Sequence, residues 1–138
     1  ICADEIVLVG PKGSPAEIGV KDIVRLPLII REAGSGTRKS WEEALGRRDI
    51  TPSALQVVLE SSSTESIKES IAAGLGMSFL SRLAVDHEKK LKTLSVIRVK
   101  GLDIRRSFYF IRPANKQLPR PAQLLFDSLV EFGKKVGR

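Results

Sequence analysis

The stretch Leu28-Ile-Ile-Arg-Glu-Ala-Gly-Ser-Gly-Thr-Arg38 leads from an apolar run through two glycines into a helix-period pattern. That pattern puts Trp41, Ala44 and Leu45 on one face and stops near Gly46. The order is strand, turn, helix, and such a turn makes an anion site. Gly34 and Gly36 relieve the backbone sterics and Ser35 is a good N-cap. The amides of Gly36, Thr37 and Arg38 are expected to point outward at the positive end of the helix dipole, with the Arg38 guanidinium as an added fork of donors. It is not a nucleotide loop: Arg38 precedes Lys39-Ser40 where a P-loop needs glycine, and Lys39 stands where GxGxxG needs its last glycine. The same residues equally suit a plain turn into a helix capped by Ser35, so the stretch alone leaves both readings open.

A second turn of the same kind follows. Residues 55–59 read as a strand, and Glu60-Ser-Ser-Ser-Thr-Glu65 leads from it into a helix with Ile67, Ile71 and Leu75 at spacings of four. Ser62 and Glu65 fit a capping box, which by itself explains the hydroxyls. Yet two hydroxyl-rich helix starts then emerge at the carboxyl ends of two strands, and in an open parallel sheet those ends line the ligand crevice.

The flanking segments complete an α/β pattern. Residues 5–10 form a β-rich apolar run closed by Gly10-Pro11, 20–26 suit a short helix, and 27–30 are the strand that delivers the chain to the glycine turn. Gly74-Leu-Gly76 ends the second helix ahead of a short buried strand at 77–80, which leaves Arg82 as another strand-end cation or a plain surface pair. Residues 83–91 are a charged helix that holds His87 on exposed surface. Strands are expected at 94–99 and 105–112, with Ser107-Phe-Tyr-Phe-Ile111 the most buried-looking. Residues 113–119 are a linker. Pro121 opens a last helix with Leu125, Leu129, Phe132 and Val136 in a stripe, widened by Phe126 and Val130, that needs a partner surface. The predicted fold class is α/β, a mixed and mainly parallel sheet flanked by helices.

Composition narrows the function. A chain of 138 residues, 42% hydrophobic and 28% charged, is in the range of one globular domain with a real core. No apolar run approaches the roughly 20 residues of a membrane span, and the start shows no signal-like core, so no membrane partner and a cytoplasmic location are expected. One cysteine, Cys2, and one histidine, His87, supply neither an internal disulfide nor a cluster for zinc or a nucleophilic triad. No metal, no cofactor and no catalytic residue are expected. The net charge of +7 is spread over Arg47-Arg48, Lys89-Lys90-Lys92, Arg105-Arg106 and Lys134-Lys135, which favours a solvated surface over a nucleic-acid face. The missing initiator methionine suggests a piece of a longer protein.

The runs 28–38, Ser62-Ser-Thr-Glu-Ser-Ile-Lys-Glu-Ser-Ile-Ala-Ala-Gly-Leu-Gly76, Met77-Ser-Phe-Leu-Ser-Arg82, Gly101-Leu-Asp-Ile-Arg-Arg106 and the Phe108-Tyr109 strand together resemble the effector-binding domain of LysR-type transcriptional regulators. The resemblance covers nearly the whole chain. It implies a type 2 periplasmic-binding-protein-like domain, two α/β subdomains joined by two crossover strands with a small effector between them. Residues 5–10 and 105–111 are then the crossovers, the chain between them the second subdomain, and the helix at about 121–136 packs back on the first. A helix-turn-helix, a linker helix and most of the first subdomain have no counterpart here, so DNA is a partner only through an absent N-terminal domain.

Carried over by that resemblance, Gly34, Ser35, Gly36, Thr37 and Arg38 with Ser63 and Thr64 face the effector cleft. Their chemistry suits a small anionic effector, a carboxylate, sulfate or phosphate held by amides and hydroxyls, with Arg31 or Arg38 as counter-ion. A homo-oligomer is expected because the stripe on the last helix needs cover. Two rivals share the fold: a solute-binding transport protein, and an enzyme that would need Glu32, Glu60 or Glu65 as acid or base.

Overall fold

The structure is a computed structural model that describes residues 2–136, the side chain of Val136 excepted. Two compact units make it up: one is Glu5–Ile104, and the other comprises the described residues before Glu5 and after Ile104.

β1 (Cys2–Pro11) contributes residues to both units, and the first is built around its stretch from Glu5 on, apolar on both faces because helices cover both sides of its sheet. Alternation assigns each residue to its layer. Ile6 and Leu8 join Ile23, Leu28, Ile30, Trp41, Leu45, Phe79 and Ile97 in one core, whereas Val7 and Val9 join Ile29, Ile67, Ile71, Leu80, Val85 and Leu94 in the other. α1 (Gly36–Gly46) supplies Trp41 and Leu45 to the first layer. α2 (Thr64–Ala72) supplies Ile67 and Ile71 to the second, and α3 (Arg82–Lys90) adds Val85.

β1 pairs antiparallel with β5 (Ser78–Ser81), Leu8 opposite Phe79, and with β6 (Leu94–Lys100), Leu8 opposite Ile97. β2 (Glu17–Gly19) runs parallel to β6 on its outer side. β3 (Pro27–Arg31) and β4 (Gln56–Ser61) form a parallel pair. A parallel bridge from Leu28 to Met77 joins that pair to the β5 edge, with the Ile29 amide donating to the Met77 carbonyl at 2.8 Å and the Met77 amide to the Pro27 carbonyl at 2.8 Å. The sheet is thus mixed and flanked by helices, as expected. This close approach is possible because residue 76 is glycine: a Cβ there would lie 2.6 Å from the Pro27 carbonyl oxygen.

Several boundaries differ from the sequence expectation. The 20–26 segment is a 3-10 helix over Val20–Arg25. α2 ends before Leu75, since Gly74 takes a φ of +82° and the Leu75 amide turns back to the Ser70 carbonyl at 3.1 Å, which leaves Leu75 57% exposed instead of in the stripe with Ile67 and Ile71. The cap of α2 is Ser63, whose Oγ accepts the Ser66 amide at 3.2 Å; the Ser62–Glu65 capping box is absent, and Glu65 pairs with Lys68 instead.

In the second unit, β7 (Ile104–Phe108) pairs with β1, and Arg106 Nε donates to the buried Asp4 carboxylate at 2.8 Å. Segment 107–111 is not the most buried strand: β7 stops at Phe108, and Tyr109 is 71% and Ile111 94% exposed. Aromatic and β-branched composition records what a segment would gain from burial, not whether a surface lies over it. α4 (Arg120–Val136) starts one residue before Pro121. The segment at 109–113 and α4 line a groove of about 310 Å³ with Phe110, Leu125, Phe126 and Leu129, and Leu124, Leu125 and Phe132 are exposed. The Val136 side chain and Gly137 lie outside the described residues.

Candidate ligand-binding site

β3 and β4 lie side by side and parallel, with Arg31 opposite Ser61, so the turns that leave them emerge together. The first turn is shaped by Gly34, whose φ of +92° is a left-handed conformation that a side chain disfavours. Ser35, buried, caps α1 by accepting the Arg38 amide on Oγ at 3.3 Å, and Thr37 is buried one turn above Trp41. Of the three amides expected to face outward, that of Arg38 is therefore spent inside the cap. In the second turn the Ser63 amide donates to Ser61 Oγ at 3.2 Å, and Ser63 Oγ serves as the cap described above.

The two turns are tied by arginines. Arg31 grips Glu32 with two parallel hydrogen bonds, Nε to Oε2 at 2.9 Å and Nη2 to Oε1 at 3.0 Å, and donates through Nη1 to Thr64 Oγ1 at 3.3 Å. Arg38 donates through Nε to Glu42 Oε1 at 2.8 Å, and through Nη1 to the Arg31 carbonyl at 3.1 Å and Glu60 Oε2 at 3.3 Å. The structure thus links Arg38 to Thr64 through Arg31, with Gly34, Ser35, Gly36 and Thr37 in the turn and helix start that lead to Arg38 and Ser63 as the cap just before Thr64. Neither arginine stands as a spare counter-ion, because both guanidiniums are already bonded to protein oxygens. This corrects the expectation of a free fork at Arg38.

Electrostatics agree with the geometry. Two guanidiniums meet the three carboxylates of Glu32, Glu42 and Glu60, so the site carries no local excess of positive charge. The hydrogen bond from Arg31 is the main cause holding the Glu32 carboxyl below the usual range, helped by its own backbone amide and by the Arg31 and Arg38 charges against the opposing effect of burial. The hydrogen bond to Glu42 raises Arg38 above an ordinary arginine against the effect of burial, with the Glu42 and Glu60 charges adding to it.

An acid or base is hard to place here. Glu32 is paired with Arg31, Glu60 with Arg38 and Glu65 with Lys68, so each of the three candidate carboxylates is already engaged by a cation of the protein. Among the described residues no group of three or more His, Cys, Asp or Glu could hold a metal. No helix of the described residues is long and apolar enough to cross a membrane. His87 is exposed, and Arg82, read from sequence as either a ligand cation or a surface pair, donates to Glu5 at 2.8 Å. Sequence reasoning missed Glu42 and the Arg31 to Thr64 link. The Arg38 to Glu42 spacing of four on a helix was the available signal for the first, and the second joins residues 33 apart and had none.

The model of the family described as LysR substrate binding domain matches residues 1–134. The HTH-type transcriptional activator CmpR of Synechocystis sp. is 36% identical over 120 residues, which are 87% of this chain and 38% of that protein. The HTH-type transcriptional regulator CbbR of Sinorhizobium medicae is 34% identical over 130 residues, 91% of this chain and 40% of that one. In structure the chain is similar to the CcmR regulatory domain of Synechocystis PCC6803, solved in complex with 2-PG, with a TM-score of 0.81 at 28% identity over 96% of this chain and 64% of that one. The chain spans about two-fifths of the length of the two curated relatives.

Proposed function

The chain belongs to the LysR substrate binding domain family, and from that premise we propose that it is the effector-sensing part of a LysR-type transcriptional regulator. In this reading the unit Glu5–Ile104 is the second of two effector-binding subdomains, β1 and β7 are the crossover strands, and α4 belongs with the first subdomain. A helix-turn-helix outside this chain binds DNA, the protein works in the cytoplasm as a homo-oligomer, and the chain senses without catalysing.

The observation that carries the proposal is the pair of serine-capped helix starts, at Ser35 and Ser63, that leave two adjacent parallel strands and are tied by the hydrogen bond from Arg31 to Thr64. Helix starts at strand ends offer amides and hydroxyls to a small anion. The effector is therefore a small anionic molecule held by the turns 34–38 and 63–64. That CcmR was solved with 2-PG supports a small-molecule effector. The paired state of Glu32, Glu60 and Glu65 speaks against the enzyme rival, and the similarity to CmpR and CbbR, named as a transcriptional activator and a transcriptional regulator, favours the regulator over the transport rival.

Titration of the chain with sulfate and with 2-PG, followed by amide NMR, tests this. The expected result is saturable shifts at Ser35, Gly36, Thr37 and Thr64. Movement of other surface amides with both turns silent would remove the site assignment.

A further inference from the structure

Arg38 touches three elements at once. Its Nε is fixed by Glu42, one turn along α1, while Nη1 is shared between the carbonyl of Arg31, the last residue of β3, and the carboxylate of Glu60 in β4. The side chain is only 21% exposed. Arg31, whose carbonyl Arg38 holds, sends its own guanidinium on to Thr64 at the start of α2. A continuous run of hydrogen bonds therefore joins α1, the ends of β3 and β4, and the first residue of α2. A planar guanidinium suits this work, because its donors are fixed in direction relative to one another.

We propose that Arg38 is a positioning residue of the effector site: it locks the turn 34–37 against the turn 63–64 and does not itself bind the effector's charge. This rests on the reading of the two turns as the effector site. The anion is then recognised by amides and hydroxyls whose spacing Arg38 sets, and affinity responds to the geometry of the clamp. It does not respond to the positive charge at residue 38.

The two roles predict opposite signs for the same substitutions. Glu60→Gln and Glu42→Gln remove the carboxylates that restrain Arg38. A clamp loses its anchor and sulfate binding weakens, about threefold to tenfold; a counter-ion is released and sulfate binding tightens. Arg38→Lys keeps the charge and loses the fork, so a clamp again weakens binding and a counter-ion largely retains it.

Amide hydrogen exchange on the wild-type chain and these variants supplies a readout that needs no ligand. The clamp predicts faster exchange, about threefold to tenfold, at Arg38 and Lys39 in the first turn and at Ser66 and Ile67 in the second, with the β1–β6 ladder unchanged. Unchanged exchange at Ser66 and Ile67 overturns the proposal. So does faster exchange throughout, the ladder included, which marks a general stability role, and so does tighter sulfate binding by Glu60→Gln. If sulfate reaches neither turn in the wild type, the anion-site reading fails, while the exchange result still decides whether Arg38 couples the two turns.

Discussion

Lys68 Nζ, on α2, lies 2.7 Å from Glu88 Oε1 on α3, and the same ammonium donates to the Ala84 carbonyl at 3.1 Å. The second oxygen of Glu88, Oε2, is buried with no hydrogen-bond partner among the described residues. The Lys68 hydrogen bond holds the Glu88 carboxyl below its usual range against the effect of burial, helped by its own backbone amide and the Lys68 and His87 charges. On Lys68 burial works against the charge, but the hydrogen bonds it donates to Glu88 and Glu65 outweigh it, and the ammonium sits above an ordinary lysine.

The pair should leave a pH signature. A carboxyl depressed in the folded state contributes stability that is present above its unfolded value, about 4.3, and is lost as pH falls through the lower folded value. An ammonium raised in the folded state contributes stability below about 10.4 that is lost as pH rises through the folded value. Glu88→Gln should cost about 1–3 kcal/mol at neutral pH, and the gap to wild type should be flat through neutral pH and narrow at both extremes. Urea midpoints measured across pH decide it; a gap that persists unchanged at pH ~3 removes the pair as the cause.

Gly76→Ala should destabilise the chain by roughly 1–3 kcal/mol or more. Its Cβ would meet the Pro27 carbonyl at 2.6 Å and Ile29 Cγ1 at 3.2 Å, in the bridge that joins β3 to the β5 edge. Thermal denaturation is the check, and a wild-type melting point would show that the two strands can separate at no cost.

Removing the caps tests the register of the second turn. Ser35→Ala and Ser63→Ala should each lose about 0.5–2 kcal/mol, whereas Ser62→Ala should stay within about 0.5 kcal/mol. Reversal of the order at 62 and 63 would restore the capping box read from the sequence.

The homo-oligomer proposed above has an exposed apolar face to explain it. Leu125 is 61% exposed on α4, near Leu124 and Phe132, which are also exposed, and surfaces of this kind usually find cover. Light scattering should show concentration-dependent self-association of the chain, reduced by Leu125→Asp. A monomer at every concentration refutes self-association of this chain. An oligomer indifferent to the substitution moves the contact to another surface.

Legibility followed the range of the interactions. The Ser35 cap, α1 with Trp41 inward, the Gly74 terminus and the apolar run of β1 are local patterns, and the sequence carried them. The choice between Ser62 and Ser63 as cap turns on a single residue of register, below the reach of propensity. Exposure at 109–111 was not readable, because composition does not say what lies opposite. At the site, the residue types were legible and their allegiances were not. Arg38 looked like a ligand fork because two of its partners, Glu60 and the Arg31 carbonyl, come from other elements that only the fold makes its neighbours, whereas Glu42, four residues along the same helix, was within reach of the spacing.

Trp41 is the only tryptophan in the chain, is 2% exposed, and stacks on Phe79 with ring centroids 5.4 Å apart at 21°. It stands on the helix whose first turn carries Thr37 and Arg38. The molecule thus holds a single indole, shielded from dissolved quenchers and one helical turn beneath the proposed effector site. Any rearrangement of that turn that tilts α1 against β5 will be visible as a change in emission from a single indole, with no label attached and no background from a second one.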